Sequence, residues 1–205
     1  MIVGKPIFFT PRHTLEYVAK ADFNQRIEVY DSYLKHYCFG PARKLATKTG
    51  DRPADLGCWV PILMILSSIF EHWGTVVEGK DSGVKSGKYF EIGLIDLLPN
   101  SNPPMSLDSK RKVAKLLYSS VRCGLFHTFA IRKRILITDE PGSEALSVYF
   151  GDDKQVLAVK INPWLLIDTL ETATATRITA LLALGPDSEA GGRFNRTFDR
   201  WIDQP

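Results

Sequence analysis

Arg122 and His127 stand five positions apart in the stretch Leu116-Leu-Tyr-Ser-Ser-Val-Arg122-Cys-Gly-Leu-Phe-His127, where a helical pattern ends. Guanidinium stays charged at physiological pH and matches phosphate oxygens two at a time. Imidazole titrates near neutrality and serves as general acid or base. A fixed cation for a phosphate and a group that moves a proton are the side chains of phosphodiester cleavage. The same residues admit a plainer reading. Arg122 is then a C-terminal helix arginine bonding the last carbonyls, and His127 an ordinary core or surface histidine.

On a regular helix five positions turn through about 500°, which leaves the two side chains ~140° apart. Gly124 lies between them and lowers helix stability by ~1 kcal/mol relative to alanine. The expectation is that the helix ends there and unwinds, swinging His127 back toward Arg122. Glu71 interrupts the most apolar segment of the chain, and an unpaired buried carboxylate is costly. Two placements are open: Glu71 pairs with Arg122 and orients it, or it lies just past the buried segment in solvent. Arg132, Lys133 and Arg134 follow the motif directly and are candidates for RNA phosphates. Lys110-Arg-Lys112 with Lys115 reads as a solvated face, and Arg193, Arg196 and Arg200 form a third basic group. Tyr118 and Phe126 flank the motif; base stacking is one role for them, with core packing the expectation for Phe126.

These residues must be positioned by helices. Pro11 to Cys38 reads as one long helix, capped by Thr14 or Thr10 and ended by Gly40-Pro41. Trp59 to Val77 reads as a second helix, apolar around almost its full circumference to Phe70 and therefore central. Glu78 to Ser106 reads as a long loop, with a short helix or strand between Tyr89 and Leu98. A third helix opens at Ser106 or Leu107 and carries the motif. The period then changes. Ile131 to Thr138, Leu146 to Phe150 and Gln155 to Ile161 are β-rich and separated by turn residues, which predicts a small antiparallel meander. Asn162-Pro163 then opens a helix that runs to Gly185-Pro186, and a last helix spans Phe194 to Ile202.

The chain has 205 residues, 44% of them hydrophobic and 24% charged, with a net charge of +3. That suits one globular domain and permits a nucleic-acid partner without demanding one. Cys38, Cys58 and Cys123 are odd in number and widely spaced, which argues against a disulfide framework or a cysteine zinc site and for a reducing cytoplasm. The most apolar run, Trp59 to Phe70, falls short of the ~20 residues that cross a bilayer, so a buried core helix and no membrane association are expected. Gly83 to Gly87 and Gly191-Gly192 lack the context of a phosphate loop.

The stretch Leu117-Tyr-Ser-Ser-Val-Arg122-Cys-Gly-Leu-Phe-His127, with its apolar helix before it, resembles the HEPN family of small helical domains, which carry an Arg, a short gap and a His. The order of elements is also similar: a long first helix, an apolar second, the motif ending the third, then a fourth. The resemblance implies a mainly α fold, an up-down HEPN-like bundle forming a single domain over residues 1–205, with the β-meander inserted around 131–161. It further implies a metal-independent endoribonuclease without cofactor, in a defence or toxin–antitoxin setting. A homodimer would bring two motifs together across its interface, and an antitoxin or other partner protein would accompany it. Arg122 would hold the scissile phosphate and His127 would carry the proton. Cys123 departs from the polar residue usual after the arginine in active members, and the β insertion departs from a minimal bundle. Many members are non-catalytic binding or dimerisation modules, which is the alternative reading.

Overall fold

The structure is a computed structural model and describes residues 8–47, 58–98, 105–128, 130–131, 134–140, 142–153 and 155–202. A short hairpin, β1 (Phe8–Thr10) with β2 (His13–Thr14), precedes α1 (Leu15–Lys20) and α2 (Phe23–Tyr33). One long first helix was expected, and two caps divide it. Thr14 accepts from the Tyr17 amide, and Asp22 forms a reciprocal capping box with Gln25. Helix α2 runs on through a π-helical turn, Leu34–Phe39, into α3 (Gly40–Ala46). Gly40-Pro41 therefore does not end the helix: the chain stays helical across it, with the Gly40 amide donating to the Lys35 carbonyl in the π turn that precedes Pro41.

Helix α4 (Trp59–Glu78) is the hub and contacts α3, α8 (Pro163–Leu184) and α9 (Glu189–Ile202). By length and composition it would cross a membrane, but Ile62, Leu63, Leu66, Ile69, Phe70 and Trp73 are buried in the bundle. Gly79, in the left-handed conformation, ends it. Arg193 donates to the Val77 carbonyl (3.1 Å) and Arg200 to the Gly79 carbonyl (2.8 Å). Two of the three C-terminal arginines thus satisfy the end of α4.

The stretch expected to be a loop with a short helix or strand between Tyr89 and Leu98 holds a 3₁₀ turn (Gly83–Lys85) and a full helix, α5 (Ser86–Leu97), packed along α4. Glycines on the facing sides of α4 and α5 mark close contact, not irregularity. A Cβ at Gly93 would come within 1.8 Å of the Phe70 carbonyl oxygen, and one at Gly74 within 1.9 Å of that of Tyr89. Helix α6 (Leu107–Leu117), capped by Ser106, passes through a π-helical turn (Tyr118–Arg122) into α7 (Cys123–Thr128).

Strands β3 (Ile135–Ile137), β4 (Leu146–Phe150) and β5 (Val156–Ile161) form one sheet in the order β3-β5-β4. The expected meander is only half correct. β4 and β5 are antiparallel, but β3 lies parallel to β5 on its other edge, with Ile135 opposite Val159. Period-two patterning locates strands; it does not say which edge each one joins. Val156, Val159 and Ile161 belong to the same buried cluster as the helices. Asn162 then caps α8 by accepting from the Trp164 and Leu165 amides.

Candidate functional site

Arg122 closes the π-helical turn and points to α4. Its guanidinium lies 3.3 Å from Glu71 Oε2, with the two side chains 24% and 16% exposed. Of the two placements open to Glu71, the structure has the paired one. Helix α4 contacts the π turn directly, so a carboxylate one residue beyond Phe70 meets the arginine of the neighbouring helix. The contact is an ion pair without hydrogen-bond geometry: among the described residues, Glu71 Oε2 and Arg122 Nε are both buried with no hydrogen-bond partner.

The other face of the guanidinium is covered by Phe126, whose ring centroid lies 3.7 Å from Arg122 Cζ. A spacing of four brings residues together on an α-helix. Phe126 is 38% exposed, so core packing is not its role. The layers run Glu71, Arg122, Phe126, from the bundle outward.

His127 is exposed, and among the described residues it has no hydrogen-bond or ion-pair partner. It does not swing back to Arg122. The helix continues through Gly124 to Thr128, and Gly124 and Leu125 are buried, with α7 packed on α4. That tertiary packing outweighs the ~1 kcal/mol helix penalty of one glycine. With the helix unbroken the two motif side chains lie on different faces, ~140° apart in ideal α geometry, and the expectation that they converge within one chain is overturned.

Tyr118 opens the π turn, and its hydroxyl lies 2.7 Å from Ser86 Oγ on α5. The bond to Ser86 pulls the phenol's pKa down, but burial and the nearby Cys123 and Glu71 outweigh it, and the net shift is upward. The ring rests against Gly87 and edge-on to Phe90. Neither the Ser86 bond nor the Phe126 contact is anticipated from the sequence. The spacing from Arg122 to Phe126 signals the second, while nothing local signals the first.

Of the basic run after the motif, Arg132 and Lys133 lie outside the described residues. Arg134 is engaged structurally: it adopts a positive φ of 80°, and its Nε donates to the Leu157 carbonyl (2.9 Å). On α6, Arg111 stands 3.4 Å from Glu91 and Lys112 pairs with Asp108 at 2.8 Å, while Lys115 is exposed. Among the described residues no group of three or more His, Cys, Asp or Glu side chains is arranged to hold a metal ion.

Fold and site together define a mainly helical protein with a small mixed sheet and an arginine–histidine motif at the exposed end of a helix. No family model, curated protein or solved structure matches the chain.

Proposed function

We propose that this chain is a HEPN-like, metal-independent endoribonuclease whose active cleft is assembled from two copies. The observation that carries this reading is the contrast at the motif: Arg122 is held between Glu71 and Phe126, and His127, one turn on, is exposed and unengaged. A partly exposed arginine held in place is a pre-organised phosphate ligand. An exposed histidine in the last turn of α7 can reach a phosphate bound to another copy.

In this reading Arg122 binds the scissile phosphate. His127 takes the proton of the attacking 2′-hydroxyl or returns one to the departing 5′-oxygen. Glu71 positions Arg122 and does not touch RNA. The resemblance supplies the biological setting: a homodimer in the cytoplasm, in defence or toxin–antitoxin biology, with an antitoxin or other partner protein.

Complementation tests the shared cleft. Arg122→Ala and His127→Ala variants should each lose RNA cleavage in the presence of chelator. Mixing the two should restore part of it, because a mixed dimer holds one intact arginine and one intact histidine. Equal cleavage by the wild type and both variants would remove the pair from the mechanism.

The second reading, a HEPN-like module that binds without cleaving, is favoured by Cys123 and by the Glu71 carboxylate neutralising Arg122. It predicts RNA binding or dimerisation with no cleavage by the wild type.

A further inference from the structure

Helix α6 and the turns beyond it carry a line of side chains that extends to both sides of the motif's Arg122. Arg111, Lys115, Tyr118, Arg122 and Phe126 follow at spacings of four, three, four and four, which keeps them on one side of the helix. The line spans roughly 22 Å at 1.5 Å per residue. Its charges are cationic. Lys115 is exposed, and the Arg111 side chain is 54% exposed in a loose pair with Glu91 at 3.4 Å. It ends at Phe126, next to His127. One face of the Phe126 ring is backed by Arg122 at 3.7 Å, yet the residue remains 38% exposed. A ring braced from behind by a guanidinium is a stacking surface.

We infer that this side of α6 is a track for single-stranded RNA, with one base stacking on Phe126 and phosphates following Lys115 and Arg111. The assignment of RNA as the occupant rests on the nuclease reading; the track itself rests on two exposed cations, Arg111 and Lys115, in line with one exposed ring backed by a guanidinium. Aromatic stacking accepts any base, since every base has a π-face, and lysine and arginine contacts follow the backbone without reading sequence. Tyr118 does not offer a second platform, because its ring is packed on Gly87 and Phe90. The track therefore has one stacking position, on the ring that covers Arg122, and would set which phosphate lies at that guanidinium.

The test is binding of a labelled mixed-sequence RNA of about 12 nucleotides, single-stranded or in a duplex, to the full chain carrying His127→Ala so that no turnover occurs. The single strand should bind more tightly than the duplex. Phe126→Ala should weaken it about tenfold or more, while Phe126→Trp retains affinity. Arg111→Ala and Lys115→Ala should each weaken binding and reduce the slope of log Kd against log salt by roughly 0.7–1. Unchanged Kd in Phe126→Ala, or a duplex bound as well as the single strand, overturns the track. Loss of affinity that coincides with loss of the dimer in sedimentation also overturns it, and assigns Phe126 to contact between copies. If the chain with His127 intact cleaves RNA and Phe126→Ala leaves KM unchanged, the track falls and the nuclease reading stands. If it cleaves nothing but the single strand still binds through Phe126, the nuclease reading falls and the track stands.

Discussion

His72 stacks on Trp201 with ring centroids 4.1 Å apart and planes inclined by 21°. Tyr30 and Tyr33 close around the same imidazole at 5.6 and 5.9 Å. Three helical segments far apart in sequence thus meet on one histidine, immediately after the glutamate that holds Arg122. Its Nε2 is buried with no hydrogen-bond partner among the described residues, and burial pushes its pKa down from 6.5 to about 4.

A histidine kept neutral by folding makes stability depend on acid. The folded pKa is depressed, so the contribution is complete above pH ~6.5 and is lost as pH falls toward ~4, at most about 3 kcal/mol in all. Urea midpoints of the wild type should fall through that window more steeply than those of His72→Phe. Parallel pH profiles for the two proteins would show that His72 is solvated.

Removing the Glu71 carboxylate leaves a partly buried guanidinium without its counter-charge. Glu71→Gln should cost about 1–3 kcal/mol, the range for a charged group deprived of its partner. On the nuclease reading it should also lower kcat while leaving RNA affinity within a few-fold. Denaturant titration and single-turnover cleavage measure the two effects separately.

Gly74 and Gly93 allow α4 and α5 to approach until backbone meets backbone. Backbone cannot step aside as a side chain can, so Gly93→Ala or Gly74→Ala should cost ~3 kcal/mol or more, beyond the usual overpacking range. Calorimetry should show a melting temperature lower by about 6–12 °C for a chain of this size. A substitution such as Gly83→Ala, which meets nothing within 4 Å but sits at a φ of +46°, should cost only about 1 kcal/mol.

Asn162 joins the sheet to α8. It accepts from two amides of the first turn, and its Nδ2 donates to Ser143 Oγ at 2.9 Å. Asn162→Ala should destabilise by about 1–2 kcal/mol. Asn162→Asp keeps the cap but loses the donor to Ser143, and should fall between the two in thermal melts.

The caps at Thr14, Ser106 and Asn162, the apolar helix from Trp59 and the turn at Gly185 are all legible along the chain. Each is an interaction within about four residues, and such signals survive in a linear reading. The capping box at Asp22 is equally local, with its partner Gln25 three positions on. Helix α5 is legible in part, as the short helix or strand expected between Tyr89 and Leu98; its glycines read as loop until a second helix is laid against them. The fate of Gly124 was hidden in the same way: its weakness as a helix former is local, while the packing that overrides it comes from α4.

For the site, the residue types alone nominated Arg122, His127 and Glu71, since few side chains serve phosphate chemistry and a carboxylate in an apolar helix demands a partner. Only the folded chain decided that Glu71 meets Arg122, that Phe126 covers it from outside, and that His127 faces away. Those outcomes depend on which helices pack together and at what rotation. The Glu71–Arg122 contact joins residues dozens of positions apart, and no local pattern encodes it. The Arg122–Phe126 pair and the direction of His127 follow from local spacing once packing on α4 keeps the helix going through Gly124.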